Sequence, residues 1–200
     1  MKIIITSIFL IAGLFSQSST TFVGGINMGN VSANDSSEDL DPIMKIGAIV
    51  GAEITNGGLT VGLNFVQRGY SIDEEEDFDG YTVSMSGSTT LNYINFYGLY
   101  PYNLPNNISV FGGFQGGLGL GGESEIETDI MGMSIDLEED IEAEDMEFDY
   151  GLLFGADYMI NDNIGIRFSY YHGLADIAKD LDSDENMKNT GILLGLLYNN

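Results

Sequence analysis

The sequence predicts an all-β protein, an eight-stranded antiparallel up-and-down transmembrane β-barrel with long acidic extracellular loops and short periplasmic turns. Of its 31 acidic residues, all except Glu53, Asp157 and Asp162 fall in four stretches. The segments between these stretches are almost uncharged and rich in glycine and aromatic residues. An outer membrane barrel has this layout, with charged loops at one end, tight turns at the other and an apolar band between them. The acidic stretches are about 30–43, 70–90, 121–149 and 172–188.

Alternation of apolar residues with small or polar residues predicts the strands in order. Val61, Leu63 and Phe65 alternate with small or polar residues in the segment 60–69, and 150–158, 164–170 and 192–198 follow the same pattern. A period of two places the apolar side chains on one face of a strand. The eight predicted strands are about 21–33, 43–55, 58–71, 89–103, 107–121, 147–160, 163–173 and 189–198.

The connections between these strands alternate in length. Short turn sequences at 56–58, 104–107 and 161–163 follow strands two, four and six, and the first of them is the hairpin sequence Asn-Gly-Gly. The acidic stretches follow strands one, three, five and seven. An even number of strands places both termini on the side of the short turns, which is periplasmic in such barrels, so the acidic loops are expected to face outward.

The low charge of the strands distinguishes a membrane barrel from a soluble periplasmic ligand-binding barrel, which alternates too but carries a polar outer surface. The predicted strands contain few charges, and the face opposite their apolar residues is mainly glycine, serine, threonine and asparagine. A closed barrel also pairs every backbone polar group without water, as hydrocarbon requires. The side chains expected to face lipid include Val61, Leu63, Phe65, Leu152 and Phe154.

The N-terminus has the pattern of a secretory signal peptide. Lys2 provides the positive charge, 3–15 is an apolar run, and Ser16 and Ser18 are small residues at the expected cleavage site. The apolar run is shorter than the ~20 residues that a membrane-spanning helix needs. We therefore expect cleavage after Ser18, with residues 1–18 as signal peptide and 19–200 as the barrel domain.

The composition excludes several classes of site. The chain has no cysteine, so it has neither disulfides nor thiolate chemistry. A net charge of −25 argues against nucleic acid as a partner, because little positive charge is available to neutralise phosphates. No cofactor is expected, and the expected surroundings are outer membrane lipid.

Four strings resemble the outer membrane protein β-barrel domain family, the PorT-type small barrels of Bacteroidota. "FVGGIN" (22–27) resembles the first strand of the family, and "LNYINFYGLYPYNL" (91–104) its tyrosine-led strand before a periplasmic turn. "SVFGGFQGGLGLGG" (109–122) resembles the glycine-rich strand that follows. "FDYGLLFGADYMINDNIGIRFSYYHGLADI" (148–177) resembles a strand, a tight turn and an Arg-aromatic strand. The resemblance implies an outer membrane barrel and no general catalytic residues.

Four charged residues lie on the small-residue face of the strands, namely Glu53, Arg68, Asp157 and Arg167. An arginine facing lipid at mid-depth costs roughly 2–4 kcal/mol, so these residues are expected to face the lumen. They are interpreted as ion pairs that fill the narrow interior of an eight-stranded barrel. The alternative is a charged ion pathway.

Two other groups of residues could form sites, but each also has a simpler structural interpretation. His172, with Asp176 four residues later, could serve an outer-membrane enzyme, although a lone histidine beside aromatics at a barrel rim more often packs at the interface. Asp180, Asp182 and Asp184 have a spacing that could weakly bind divalent cations, but the residues that complete an EF-hand are missing. Charge runs of this kind are usually solvated.

The third acidic stretch is expected to form a hairpin above the membrane. Apolar residues alternate on both sides of the sequence Met-Gly-Met at 131–133, and 81–90 could extend strand four in the same way. A helix over 136–147 is the alternative, but it would have little apolar surface. Such a protruding sheet with open edges could bind partners by strand pairing.

The function favoured by the sequence is non-enzymatic: an outer membrane barrel that is structural or interacts through its acidic extracellular loops. Possible partners at these loops are an extracellular protein or divalent cations. The alternatives are a narrow pore or ion-binding barrel, the outer-membrane enzyme that uses His172, and the soluble periplasmic barrel.

Overall fold

The computed structural model describes residues 19–33, 43–78, 81–130, 133–177 and 187–200. The described residues form nine strands and one short 3-10 turn, Ala143–Asp145. The predicted signal peptide lies outside the described residues. The strands are β1 Ser19–Ala33, β2 Ile43–Asn56, β3 Leu59–Phe78, β4 Tyr81–Leu104, β5 Ile108–Ile130, β6 Met133–Ile141, β7 Asp149–Met159, β8 Ile164–Gly173 and β9 Met187–Asn199.

Eight of the nine strands close into a ring in which every pairing is antiparallel. Each strand pairs with its neighbour in the chain, except that β5 pairs with β7, and β1 closes the ring by pairing with β9. The remaining strand, β6, pairs with the outer part of β5 and lies outside the ring. The predicted eight-stranded up-and-down barrel is confirmed.

The two faces of the wall differ as the alternation predicts. Leu63 is 57% exposed and Phe154 is 48% exposed on the outer face, whereas Asn64 is 6% exposed and faces the lumen. Strand β8 alternates between exposed and buried residues along its whole length. The outer surface is therefore an apolar belt, as a hydrocarbon solvent requires, and a soluble barrel with an apolar interior is excluded.

The three short connections lie together at one end of the barrel. Gly57 and Gly58 have φ of 61° and 84°, and Asn106 and Asn107 have φ of 64° and 60°. Positive φ at two successive positions is what a tight hairpin turn needs, and glycine and asparagine adopt it most easily. In the third turn the Asn161 side chain accepts backbone hydrogen bonds from the residues two and three positions later.

At the other end, three strands continue well beyond the ring. β3 runs to Phe78 and β4 begins at Tyr81, where the sequence predicted 58–71 and 89–103. β5 continues to Ile130 and pairs with β6, which confirms the predicted hairpin. The alternative helix over 136–147 is wrong, because β6 extends to Ile141 and a 3-10 turn follows it.

The sheet changes direction where it leaves the ring. The register between β4 and β5 shifts between Asn92 and Tyr93, and Gly121 on the facing strand has φ of 104°. A β-bulge of this kind bends and twists a strand, and glycine accommodates the left-handed backbone. Beyond the bulge, β3, β4, β5 and β6 form a four-stranded sheet outside the ring. No helix among the described residues is long and apolar enough to cross a bilayer.

Candidate functional site

Arg167 holds two carboxylates inside the barrel. Its Nη1 and Nη2 donate to Oε2 and Oε1 of Glu53 at 2.7 and 2.9 Å. Its Nε and Nη2 donate to Oδ1 and Oδ2 of Asp157, both at 2.8 Å. Asp157 faces Arg167 directly on the neighbouring strand, whereas Glu53 reaches it from β2. Two bidentate pairs on one guanidinium fix all three side chains in a single arrangement.

The Arg167 cluster has further support from two aromatic residues. The guanidinium carbon lies 4.9 Å from the centre of the Phe111 ring, and the Tyr97 hydroxyl donates to Glu53 Oε2 at 2.9 Å. Arg167 and Glu53 are both nearly inaccessible to solvent. A buried charge is tolerated when it is paired and hydrogen-bonded, and this one meets both conditions.

Arg68 forms a second cluster. It is ion-paired with Asp149, and it also donates to Asn95 Oδ1 at 3.3 Å. Its guanidinium carbon lies 4.9 Å from the ring centre of Tyr93 and 4.4 Å from that of Tyr171, so two aromatic rings contact one cation. Such cation–π contacts strengthen when they are removed from water.

Asparagine side chains extend this second cluster around the lumen. Asn189 Nδ2 donates to Asp149 Oδ2 at 3.2 Å and to the Tyr93 hydroxyl at 3.4 Å. Asn95 in turn donates to Asn64 Oδ1 at 2.9 Å. The hydrogen bonds therefore connect residues of several strands, and they hold Asp149, which is 0% exposed, against Arg68.

A small cavity remains between the side chains of the lumen. About 30 Å³ is open to the centre of a water molecule, and both Arg68 and Arg167 line this space together with Tyr171. One water needs roughly 10–15 Å³ on this measure, so the cavity has room for two or three waters at most. Asp149 Oδ1 and the Tyr171 hydroxyl are buried without a hydrogen-bond partner. Side chains therefore fill most of the lumen around this cavity.

The segment after β6 folds back over the outer end of the barrel. Ile141 and Met146 pack against the buried residues Ile49, Val66, Leu91 and Tyr93. The sulfur of Met146 accepts a hydrogen bond from the backbone N–H of Gly121 at 3.1 Å. These apolar contacts include Tyr93, one of the two rings that contact the Arg68 guanidinium.

The structure brings together three of the four predicted lumen residues, Glu53, Asp157 and Arg167, and it places Arg68 in a separate cluster. Asp149, the partner of Arg68, is not among the predicted lumen residues, because it lies at a strand end within the third acidic stretch. One signal could have identified it. Asp149 and Asp157 are an even number of residues apart on β7, so they lie on the same face of the strand. The alternation that predicts a lumen position for Asp157 therefore predicts one for Asp149 too.

The other predicted candidates do not converge into one site. His172 is on the outer face of β8, where its ring stacks on Tyr170 with centroids 6.3 Å apart. Asp176 Oδ1 accepts a hydrogen bond from the backbone N–H of Met187 at 3.1 Å. The possible divalent-cation residues Asp180, Asp182 and Asp184 lie outside the described residues. Within the described part of the chain, no three acidic or histidine side chains are grouped closely enough to hold a metal ion.

Outside the ring, the hairpin of β5 and β6 places acidic residues directly opposite one another. All of these acidic side chains are exposed, and they share one face of the sheet with serines of β4. Like charges in directly opposed cross-strand positions destabilise a sheet. We call this set the acidic ladder. Its pairs are Glu123–Asp140, Glu125–Glu138 and Glu127–Asp136.

A groove of about 400 Å³ runs along this acidic face. Glu125, Glu127, Asp136 and Glu138 line it, and Asp73 of β3 lies at its other side. None of the ion pairs between described residues involves the acidic ladder, since all three lie in the lumen. The Lys45 ammonium donates to hydroxyls of β4 instead.

A closed antiparallel barrel with an apolar outer belt, a polar packed lumen and short turns at one end defines an integral outer membrane protein. The sequence itself matches the family described as outer membrane protein beta-barrel domain over residues 15–179. The chain belongs to this family, and the protein is located in the bacterial outer membrane.

Solved structures of small outer membrane barrels are similar to this chain in fold. Neisserial surface protein A is 10% identical, with a TM-score of 0.53 over 92% of this chain and 99% of that one. Ail of Yersinia pestis is 15% identical, with a TM-score of 0.46 over 92% and 98%. The Escherichia coli outer membrane protease OmpT is 10% identical, with a TM-score of 0.41 over 92% and 96%. At these identities the similarity concerns the fold alone. No curated protein matches the sequence.

Proposed function

We propose that this outer membrane barrel is non-enzymatic and that it binds a cationic protein through the acidic ladder outside the membrane. The observation that carries the proposal is that carboxylates lie directly opposite one another in three cross-strand pairs on one face of the sheet, such as Glu125 and Glu138. Because this arrangement is unfavourable for the isolated hairpin, a partner that supplies positive charge relieves the repulsion as it binds. A concentrated negative field also raises the rate of encounter with such a partner.

The shape of the acidic surface favours a protein over a single ion. Its carboxylates are spread along strands and across the groove, from Asp73 to Asp136, rather than gathered around one point. Among the described pairings β6 pairs only with β5, so it is the edge strand of this sheet. A basic segment of a partner could add to this edge as a further strand.

The packed lumen supports the proposal that the barrel serves as an anchor for this sheet and does not conduct ions. Two ionic clusters fill the interior, and the remaining space holds only a few waters. A narrow pore remains the second candidate, because both arginines line that space. Within the family, the strings at 22–27, 91–104, 109–122 and 148–177 support a place among the PorT-type small barrels of Bacteroidota.

Binding of a labelled deca-lysine peptide tests the proposal. The barrel is reconstituted in phosphatidylcholine vesicles, whose zwitterionic surface adds no net charge. We expect the variant Glu123→Gln, Glu125→Gln, Glu127→Gln to bind at least tenfold more weakly than the wild type. We also expect the affinity of the wild type to fall steeply with added salt, since exposed charges are screened.

The matched control changes the net charge equally but leaves the acidic ladder intact. Glutamines replace Glu142, Glu144 and Glu147, which follow β6. This control is expected to keep its affinity within about twofold of the wild type, a change of less than about 0.5 kcal/mol. Equal losses in the two triple variants would mean that the peptide responds to the overall charge of the protein, and the acidic ladder would not be the binding surface.

A further inference from the structure

The outer wall of the barrel carries an aromatic trough that neither the lumen nor the acidic sheet explains. It has a volume of about 540 Å³ and crosses the outward faces of β4, β5 and β7. Phe114, the most prominent of its side chains, is 71% exposed. The aromatic side chains that border the trough on the outer face are Phe96, Phe114, Phe148 and Tyr150.

The strand register explains why a trough forms here. In one row Gly116 lies between Phe96 and Tyr150, and in the next row Gly98 lies beside Phe114. Each glycine removes a side chain from between large neighbours. Gly98 and Gly116 occupy one diagonal on the wall and Phe96 and Phe114 the other, so the trough at Gly98 lies between large rings.

The two glycines differ in what covers them. A Cβ added at Gly98 would have nothing within 4 Å, so this part of the trough is open. A Cβ at Gly116 would approach the rings of Phe96 and Phe148 to 2.8 Å, so these rings close the other part. Phe148 stacks on Phe96 with centroids 5.9 Å apart and on Tyr150 at 6.4 Å. The stacked rings form a continuous wall along one side of the trough.

We propose that this trough holds one acyl chain of an outer-leaflet lipid. The trough opens on the apolar belt, where hydrocarbon is the surrounding medium. It lies toward the end with the long connections, because Tyr150 is the second residue of β7, which starts at that end. A depression one missing side chain wide admits a single extended chain, whereas an α-helix with its side chains is about 10–12 Å across.

The aromatic walls give a chain in the trough more contacts than the rest of the belt offers. Dispersion contacts are individually weak, but they add up when a chain is surrounded on several sides. A chain lying between Phe96 and Phe114, over the open backbone of Gly98, has protein on three sides. A lipid held in this way exchanges more slowly than the lipids that contact the convex remainder of the barrel.

The absence of tryptophan from the sequence allows a single-site optical test. One tryptophan is introduced in the trough by Phe114→Trp, and in a separate protein at the outward-facing Phe168 of β8, which is remote from the trough. Both proteins are reconstituted in vesicles of dibrominated phosphatidylcholine, whose bromine atoms quench tryptophan, and are then extracted into excess detergent. We expect Phe168→Trp to recover its emission on extraction, because detergent replaces the surrounding lipid. Phe114→Trp is expected to keep at least half of its quenching.

Filling the trough provides the second arm of the test. In the Phe114→Trp protein, Gly98→Leu adds a side chain in the open part of the trough and is expected to abolish the retained quenching. Gly24→Leu is the matched control, since a Cβ at Gly24 also has nothing within 4 Å and lies on β1, away from the trough. It is expected to leave the quenching unchanged. Gly98→Val replaces the leucine variant if that protein does not give the heat-modifiable band of a folded barrel.

Two results would overturn the proposal. One is full recovery of emission by Phe114→Trp on extraction, as for Phe168→Trp, which means that no lipid is retained. The other is retained quenching that Gly98→Leu or Gly98→Val does not reduce, which means that the lipid is held elsewhere. Neither result depends on the deca-lysine experiment, because the two surfaces are separate.

Discussion

Replacing Arg167 with methionine removes the cation shared by the buried carboxylate of Glu53 and the partly buried one of Asp157. Glu53 and Asp157 accept all of their charge-assisted hydrogen bonds from this guanidinium, at 2.7 to 2.9 Å, apart from the bond that Tyr97 donates. Breaking a buried pair by removing one partner typically costs about 3–5 kcal/mol, because the other charge is left uncompensated. We expect Arg167→Met to lower the free energy of unfolding by an amount in this range.

Neutralising the two carboxylates as well is expected to restore stability. If the loss comes from uncompensated carboxylates, then Glu53→Gln and Asp157→Asn in the Arg167→Met background should restore much of it. Replacing a whole buried ionic group by neutral residues is often close to neutral. We expect the triple variant to recover at least half of the loss, so the three sites are strongly coupled.

Urea unfolding of the barrel in lipid vesicles measures the free energy of unfolding of Arg167→Met and of the triple variant. The heat-modifiable gel band reports the folded protein. Lys45→Met is the control, since among the described residues the Lys45 ammonium donates to the hydroxyls of Ser88 and Thr90 and has no carboxylate partner. Because all three residues are only partly buried, the two hydroxyls can bond to water instead, and the loss is expected to stay below about 1.5 kcal/mol. The reasoning is refuted if Arg167→Met costs no more than this control, or if the triple variant is less stable than Arg167→Met.

Three further predictions concern the lumen, the wall and the N-terminus. In planar bilayers the wild type is expected to show no large conductance. Arg68→Met or Arg167→Met is expected to reduce the stability of the barrel more than it changes the current. A large wild-type conductance that these substitutions abolish would support a pore. Gly25→Val is expected to prevent folding, since its Cβ would lie 2.6 Å from a backbone atom of β9, whereas Gly24→Val next to it folds; a gel band from both proteins contradicts this. N-terminal sequencing of the exported protein is expected to begin directly after Ser18.

The sequence predicts the ring well because its signals are local. A period of two reports which face a residue occupies, and Gly57 or Asn106 reports where a chain reverses. Both signals are carried by neighbouring residues, so the strand number, the order of turns and the lumen side of Arg68 and Arg167 can all be read without knowledge of long-range contacts.

The partners across the lumen could not be predicted in the same way. Arg68 and Asp149 are 81 residues apart, and their contact depends on the height of each strand within the barrel. Height follows from the accumulated stagger between strands, which the alternation of any single strand does not specify. The predicted outer end of strand three fell short for a related reason, whereas alternation did predict the extension of strand four over 81–90 and the hairpin in the third acidic stretch. The acidic composition of 70–90 indicates solvent, and it does not distinguish an extended strand in water from a loop.

The position of β6 at the edge of the sheet has a consequence for the behaviour of many copies in one membrane. An exposed strand edge is a template for pairing with the same edge of another molecule. Here such pairing would bring Asp136, Glu138 and Asp140 of β6 in one copy next to the same residues of a second copy, and the two negative edges would repel each other. The charge that can attract a basic partner therefore also keeps neighbouring barrels apart, so the protein can be abundant in the membrane without assembling into sheets.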